Sequence, residues 1–188
     1  VSLPHFSGIE FDTFLTFNGS LCYNDTETIF SNPISPDNVQ KLIHNADSLR
    51  RPVAVATKNR LAANGFDMDL SDYYSIAHLQ LTVAEDFEQV SNEEVYQLLL
   101  GCRETDYSAI LKDVDGAKIA AWWDRAVDII PANGGKGIGI QKVLEYYHLD
   151  KSEALAFGDG NNDIEMLLSV GTGVAMGNAS PQLKEIAD

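Results

Sequence analysis

Apolar residues in the first third of the chain follow the spacing of an amphipathic helix and then that of a buried strand. Between Val39 and Leu49 they recur every three or four residues, which predicts a single apolar helix face. Ser35-Pro36-Asp37 supplies a hydroxyl cap, a proline suited to the first turn and an acid at the positive end of the helix dipole. Arg51-Pro52 predicts the end of this helix, and the apolar run Val53–Thr57 predicts a strand after it.

Short apolar or alternating runs predict further strands along the chain, and one capped segment predicts a helix. A capping box at Ser91–Glu94, followed by Val95, Leu98 and Leu99, is typical of a short helix. Mixed helices and strands of this kind predict an α+β unit with one open sheet between about residues 20 and 125. The further predicted strands are Phe14–Phe17, Leu21–Tyr23, Thr28–Phe30, Leu79–Val83, Ser108–Leu111, Lys118–Trp123 and Arg125–Ile130.

After Pro131 the pattern changes to a regular alternation of helices and strands. The apolar runs in this part are short and uninterrupted, as in strands that lie inside a parallel sheet. Helices between such strands predict a parallel sheet with crossover connections, and therefore an α/β fold. The predicted elements are a helix opened by Gly134-Gly135-Lys136-Gly137, a strand at Ala154–Phe157, a loop at Gly158–Asp163, a helix from Ile164, a strand at Gly173–Met176 and a helix at Pro181–Ala187.

Composition narrows the classes of partner. The 28 acidic and 13 basic residues give a formal net charge of −15, so we expect no nucleic-acid partner. The same charge would repel a small anionic substrate unless a bound cation or a local lysine reverses the field. No run of about 18 apolar residues is present, so we expect no membrane span. Cys22 and Cys102 are far apart and have no neighbouring metal ligands, which favours a reducing, cytoplasmic location.

The loop Gly158-Asp159-Gly160-Asn161-Asn162-Asp163 carries the densest group of chemically active side chains. Its two carboxylates, four residues apart, follow the carboxyl end of a predicted buried strand, where ligands bind in open α/β sheets. Gly158 and Gly160 allow a sharp turn and a close approach of the backbone to a ligand. Hard oxygen ligands on a short loop suit Mg²⁺, which shares phosphate oxygens with its substrate. A turn without any ligand is the alternative, because Asp, Asn and Gly favour turns in general.

The same loop resembles a motif of the haloacid dehalogenase phosphatases of the Cof type (subclass IIB). That motif is glycine-Asp-glycine-x-Asn-Asp-x-x-Met, and Gly158–Met166 match it at every defined position. Gly171–Ala179 resemble the next characteristic run of the family, and Lys136 matches a lysine at the start of the preceding helix. Thr16-Phe17-Asn18-Gly19 resembles the entry into the family's mobile cap. The resemblance covers essentially the whole chain and is most specific after Ile130.

The resemblance implies a fold, namely a partial Rossmannoid core with a parallel sheet and an inserted α+β cap domain. Residues 1–19 would be a remnant of the core, residues 20–125 the cap and residues 126–188 the C-terminal part of the core. The cap sets substrate choice in this family. Trp122, Trp123 and His78 could contact a substrate, although aromatic residues in strands more often belong to a core.

Roles for four residues also follow from the resemblance. Asp159 would be a ligand of Mg²⁺, and Asp163 either a second ligand or a carboxylate that supports the site without touching the metal. Asn162 would orient the phosphate or the metal's surroundings. Lys136 would neutralise the phosphate and the attacking carboxylate, a task that suits a compact point charge. A solvated helix N-terminus is the alternative for Lys136, disfavoured because a cation there opposes the helix dipole.

Two further motifs of the family have no clear counterpart in this sequence. Members begin with Asp-x-Asp-Gly-Thr, whose first Asp attacks phosphorus and whose second acts as acid and base. A Thr-Gly-Arg motif then precedes the cap. Asp113-Val114-Asp115-Gly116 and Thr57-Lys58-Asn59-Arg60 imitate the two motifs, but we interpret the first as a hairpin turn and the second as part of the cap. Since the chain also lacks an initiator Met, we expect a fragment without its nucleophile.

The leading hypothesis is therefore a Mg²⁺-dependent phosphatase for small phosphorylated metabolites such as sugar phosphates, present here as an inactive fragment. A non-catalytic domain that binds a phosphorylated ligand or a protein is the alternative from another class. The phosphorylation domain of a cation-pumping ATPase has a similar loop, but the missing membrane spans and Ile164-Glu165-Met166 argue against it. The sequence does not indicate an oligomeric state.

Overall fold

The computed structural model describes residues 8–188, in which the strands form three separate sheets. The first seven residues of the predicted core remnant lie outside the described residues. The strands are β1 (Phe14–Thr16), β2 (Leu21–Tyr23), β3 (Thr28–Ser31), β4 (Val53–Thr57), β5 (Leu61–Ala63), β6 (Val95–Gly101), β7 (Ala117–Ala120), β8 (Ala126–Pro131), β9 (Leu155–Gly158) and β10 (Thr172–Ala175). The helices are α1 (Pro36–Ser48), α2 (Met68–Ile76), α3 (Phe87–Val90), α4 (Tyr107–Ile110), α5 (Lys136–Tyr147), α6 (Ile164–Leu168) and α7 (Pro181–Ile186).

The largest sheet has five strands in the order β5-β4-β6-β8-β7, and all neighbouring strands are antiparallel. Successive residues of a strand point to opposite faces, so the sheet has two distinct surfaces. On one surface α1 buries Val39, Leu42 and Ala46 against residues such as Leu98. On the other surface α2 buries Leu70 and the two tyrosines Tyr73 and Tyr74. This second surface carries the polar groups of the site described below.

The other two sheets are small and pack around α5 and α6. Strands β9 and β10 pair in parallel, with Leu155 opposite Thr172, and α6 connects them as a crossover. Strands β1, β2 and β3 form an antiparallel sheet that contacts α5. The predicted α/β fold, with a partial parallel sheet and a separate open sheet, is therefore confirmed. No helix within residues 8–188 meets the length and apolar character needed to cross a bilayer.

The predicted helix after Ser91–Glu94 is wrong, because Val95–Gly101 is strand β6. All seven of its residues are buried, since β6 lies between β4 and β8 and both faces of the sheet are covered. A strand covered on both faces is mostly apolar and does not alternate, and Gln97 is the polar exception in β6. The helical spacing of its leucines is therefore a coincidence of a continuous apolar run.

Two predicted strands are also absent. Ser108–Leu111 falls largely in the short helix α4, in which Ile110 alone is buried while Ser108 and Ala109 are exposed. One inward residue per turn suits a helix at the surface of the sheet. Leu79–Val83 runs without strand pairing except for an isolated bridge from Val83 to Ala63, although its leucines do pack against the sheet. Alternating burial thus occurs there without a hydrogen-bonded ladder.

The division into residues 1–19, 20–125 and 126–188 stays a prediction. Two sheets continue across its boundaries: β1 pairs with β2 across residue 19, and β8 is an inner strand of the five-stranded sheet. The five-stranded sheet therefore extends to Pro131, a few residues before the first helical residue Lys136.

Candidate functional site

The loop between β9 and α6 folds around the carboxylate of Asp163. One oxygen of Asp163 accepts hydrogen bonds from the backbone N–H groups of Asp159 (3.0 Å) and Gly160 (3.1 Å). The peptide N–H of Asp163 donates back to the carbonyl of Gly160 (2.9 Å), which closes a short 3₁₀ turn over Asn161–Asp163. A Cβ on Gly158 would lie 2.7 Å from the Cβ of Asp163, so only glycine allows this packing. The Asp/Asn/Gly sequence therefore builds a compact, internally bonded loop.

Lys136, the first residue of α5, reaches across to this loop. Its Nζ forms an ion pair and a hydrogen bond with the second carboxylate oxygen of Asp163. The Asp163 side chain is only 6% exposed and that of Lys136 is 29% exposed. Burial alone would raise the pKa of Asp163, but the contact with Lys136 and the two backbone N–H groups outweigh it and lower this pKa. Asp163 is thus an ionised side chain whose oxygens are both engaged within the protein.

Asp159 lies on the same loop but is exposed to solvent. One of its carboxylate oxygens accepts a hydrogen bond from Nδ2 of Asn178 (2.9 Å). Among residues 8–188, no cluster of three or more histidine, cysteine or acidic side chains has the geometry of a complete metal site. Mg²⁺ commonly takes one or two protein carboxylates and fills its other positions with water and phosphate oxygens. The exposed carboxylate of Asp159 fits such a ligand, whereas the oxygens of Asp163 are already committed.

Asn162 connects the loop to a residue far away in the sequence. Its Nδ2 lies 3.5 Å from Oδ1 of Asn18, which follows β1. The Nδ2 of Asn18 donates to Oε1 of Gln97 and to Oδ2 of Asp128, both at 2.9 Å. Gln97 and Asp128 lie on the second surface of the five-stranded sheet, on β6 and β8 respectively. Asn18 therefore joins the loop to this sheet, a role that the resemblance of Thr16–Gly19 to the cap entry did not reveal.

Asp128 is a buried acid at the centre of this connection. It is 4% exposed, and its second oxygen accepts a hydrogen bond from the hydroxyl of Tyr73. Nε1 of Trp122 donates in turn to that hydroxyl (2.9 Å). Burial raises the pKa of Asp128 to about 6, although the hydrogen bonds from Tyr73 and Asn18 counteract part of this effect. Asp128 therefore titrates in a range where ordinary carboxyl groups are already ionised.

This raised pKa predicts an unusual pH dependence of stability. The folded chain holds the Asp128 proton more tightly than the unfolded chain, so the contribution to stability is fully present below the ordinary value of 3.8. It is lost as the pH rises through about 6. Asp128→Asn has no such titration, and we expect its stability deficit relative to the wild type to shrink by about 2 kcal/mol between about pH 4.5 and 7.5. Urea unfolding of both proteins across this range measures the difference, and a constant deficit would contradict the assignment.

A cavity of about 210 Å³ lies where the loop, the start of α5 and the five-stranded sheet meet. Asn18, Asn162 and Lys136 line it from one side. Lys118 of β7 lines it from the sheet, and its Nζ is 3.6 Å from the carboxylate of Glu165. Two lysines and one carboxylate, that of Glu165, thus line one small cavity in a chain of strongly negative net charge. No sequence pattern pointed to Lys118, which lies on β7, the edge strand of the sheet.

The structure thus brings three of the predicted site residues, Lys136, Asn162 and Asp163, into one group, with Asp159 on the same loop. It places Asp113–Gly116 elsewhere. The preceding carbonyl of Lys112 accepts a hydrogen bond from Asn45 of α1 (2.8 Å), on the opposite surface of the five-stranded sheet. This segment is a turn, as expected, but it joins α4 to β7 and is not a hairpin between two strands.

Comparisons with known proteins agree with this arrangement. A sequence model of the haloacid dehalogenase-like hydrolases matches residues 2–188. YkrA of Bacillus subtilis, a provisionally assigned phosphatase, is 32% identical over 181 residues, which is 94% of this chain and 68% of YkrA. The 5-amino-6-(5-phospho-D-ribitylamino)uracil phosphatase YitU of the same organism is 36% identical over 130 residues, covering 65% of this chain and 47% of YitU.

A solved structure extends the likeness to three dimensions. The subclass IIB sugar phosphatase BT4131 superimposes with a TM-score of 0.84 at 26% identity, over 94% of this chain and 68% of that protein. The resemblance stated from the loop motif and Lys136 is therefore confirmed, while the roles of the individual residues stay predictions. The chain belongs to the haloacid dehalogenase-like hydrolases and is similar to their subclass IIB members.

Proposed function

We propose that the chain carries the phosphate-binding and Mg²⁺-binding part of a phosphatase site for small phosphorylated metabolites, sugar phosphates among them. The observation that carries this proposal is the fixed position of Lys136, held by buried Asp163 at a cavity that Lys118, Asn18 and Asn162 also line. A preorganised cation in a partly enclosed site is worth more to a phosphate than one in open solvent. The relatives named above are phosphatases by their names, which supports the same class of reaction.

Each residue has a task in this proposal. Lys136 binds a phosphate oxygen as a point charge, and Asp163 holds the lysine and the loop backbone in place. Asn162 donates a hydrogen bond to the phosphate from its amide. Asp159 holds Mg²⁺, which would neutralise phosphate charge and orient its oxygens when bound. Asp163 fits the supporting role better than the role of a direct ligand, because its two oxygens are already bonded.

The nucleophile is the part that this chain does not supply in the proposal. The pattern Asp-x-Asp-Gly occurs in the sequence only at Asp113–Gly116, and this turn lies on the far surface of the sheet from Lys136. We therefore propose that the 188 residues bind phosphate and Mg²⁺ without turning over substrate. The second candidate is a domain that binds a phosphorylated ligand and takes no part in catalysis. The position of the Asp-x-Asp-Gly turn away from Lys136 favours this candidate as well.

The buried, unpaired thiols of Cys22 and Cys102 support a cytoplasmic location.

Calorimetry and an activity assay on the 188-residue chain test the proposal. We expect inorganic phosphate and Mg²⁺ to bind together, and Asp159→Asn to weaken Mg²⁺ binding by about tenfold or more. Glu85→Gln, which removes one exposed negative charge outside the site, should leave it unchanged. We expect no Mg²⁺-dependent hydrolysis of p-nitrophenyl phosphate. Turnover would show that a nucleophile lies within the 188 residues, with Asp113→Asn as the next variant, and absence of phosphate binding would sink the proposal.

A further inference from the structure

A second cavity, of about 350 Å³, lies beside the cavity at Lys136 on the same surface of the five-stranded sheet. Its size falls within the range of small-molecule sites, roughly 300–1,000 Å³. Its floor is formed by β4, β5 and β6, and the end of α2 with the segment after it forms one wall. The lining is mostly apolar, and its polar side chains are those of Asn18, Gln97 and His78. The apolar part consists of Phe17, Ala56, Leu61, Ile76, Ala77, Leu79 and Leu99.

The two cavities share one wall. Asn18 lines both of them, and its amide is fixed by Gln97 and Asp128 from the sheet below. Gln97 also lines the second cavity and stands opposite Ala56 across β4 and β6. A molecule with a phosphate at Lys136 would therefore have to extend past Asn18 to place its organic part over the apolar floor.

Asn18 and Gln97, which lie where the two cavities meet, already form hydrogen bonds within the protein. Both hydrogens of the Asn18 amide are donated within the protein, and its Oδ1 faces Asn162 at 3.5 Å. Oε1 of Gln97 accepts from Asn18, which leaves Nε2 of Gln97 as a donor for a ligand. A sugar carries a hydroxyl group on nearly every carbon, and each buried hydroxyl without a partner costs free energy. An apolar ring has no hydroxyl groups to leave unpaired, and burial of its surface lowers the free energy.

We propose that the second cavity binds the leaving group of the substrate, and that it fits a phosphate monoester of an alcohol with an aromatic or branched apolar skeleton better than a sugar phosphate. A single acceptor atom on that skeleton would pair with Nε2 of Gln97. This inference rests on the proposed function, because it takes the phosphate of the same molecule to lie at Lys136. It narrows the substrate class within the small phosphorylated metabolites.

Calorimetric titrations of the intact chain with three probes test this inference in the presence of Mg²⁺. The probes are inorganic phosphate, glucose 6-phosphate and benzyl phosphate. We expect benzyl phosphate to bind about tenfold more tightly than glucose 6-phosphate, since only its ring gains from the apolar floor. Ile76→Ser should remove most of that advantage, and the affinity for inorganic phosphate, which does not reach the second cavity, serves as the reference within each variant.

Met68→Ser is a matched control, because Met68 begins the same helix, is 64% exposed and lies outside the cavity, whereas Ile76 is 50% exposed and lines it. Loss of the benzyl advantage in Ile76→Ser alone supports the proposal. Equal affinities for the two esters would overturn this inference, and so would equal losses of benzyl phosphate affinity in the two variants. Binding of inorganic phosphate would still support the proposed function in either case. If inorganic phosphate and both esters all fail to bind, the proposed function itself is wrong and this inference falls with it.

Discussion

Lys136→Met is expected to abolish phosphate binding by the chain and to lower its free energy of unfolding by about 2 kcal/mol. Methionine keeps much of the aliphatic volume of lysine but leaves the buried carboxylate of Asp163 without its cation. Removing one partner of a fully buried ion pair costs roughly 3–5 kcal/mol, and the partial exposure of Lys136 reduces this cost. Urea unfolding and phosphate titration of the same preparation measure the two effects.

Lys142→Met is the matched control, since Lys142 lies on the same helix and pairs with Glu145 at 2.7 Å with both side chains well exposed. Such surface pairs contribute about 0–1 kcal/mol, so this variant should retain stability and phosphate binding. Adding Asp163→Asn to Lys136→Met should recover part of the lost stability. The amide oxygen can still accept the N–H groups of the loop, and no buried charge then lacks a partner. Equal losses in the two lysine variants would contradict the role given to Lys136.

The same ion pair gives the stability effect a predictable pH dependence. The pKa of Asp163 is lowered in the folded chain, so its contribution is present above the unfolded value and is lost as the pH falls through the folded value. The stability difference between the wild type and Lys136→Met should therefore shrink in acid. This trend is opposite in sign to the one expected of Asp128, whose pKa is raised.

Gly19→Ala is expected to lower the free energy of unfolding by about 3 kcal/mol and to weaken phosphate binding strongly. Gly19 has φ +82°, where residues with a Cβ are strained, and an added Cβ would lie 2.6 Å from the carbonyl oxygen of Gly135. That oxygen belongs to the backbone immediately before Lys136, so the clash acts on the site lysine as well as on Asn18. Thermal unfolding and phosphate titration measure both consequences.

Gly177→Ala is the control for this substitution, because a Cβ at Gly177 meets no atom within 4 Å. We expect its stability to stay within about 0.5 kcal/mol of the wild type. A Gly19→Ala variant that is equally stable would show that the turn after β1 can relax away from α5. Retained phosphate affinity in a destabilised Gly19→Ala variant would separate the packing role of Gly19 from the geometry of the site.

Sequence patterns predicted the parts of the site that lie close together along the chain. The loop Gly158–Asp163 combines turn residues with carboxylates, so its local chemistry indicated a ligand site. Lys136 and the roles of the individual residues followed from the family resemblance. Asn18 was predicted only as part of the segment Thr16–Gly19 that resembles the cap entry, because its partners Gln97 and Asp128 are 79 and 110 residues away. No local pattern records such contacts. The site depends on them as much as on its motif.

The same limit explains the errors in secondary structure. Val95–Gly101 carries an apolar run that fits a buried helix as well as a buried strand, and only its neighbours β4 and β8 decide between them. For Asp163 the sequence left two roles open, and the hydrogen bonds of both its oxygens favour one of them. Such distinctions come from the folded environment of a residue and not from its identity.

The long-range contacts of Asn18 also concern the order of events in folding. Asn18 meets Asn162 across 144 residues and Asp128 across 110, so both cavities are completed only when distant parts of the chain are already in place. Contacts of such large sequence separation form at a high entropic cost and are slow to appear. Partly folded chains therefore lack most of the contacts that complete the site. A phosphate ligand bound there, as proposed, would stabilise the native state by mass action but would do little to help the chain reach it.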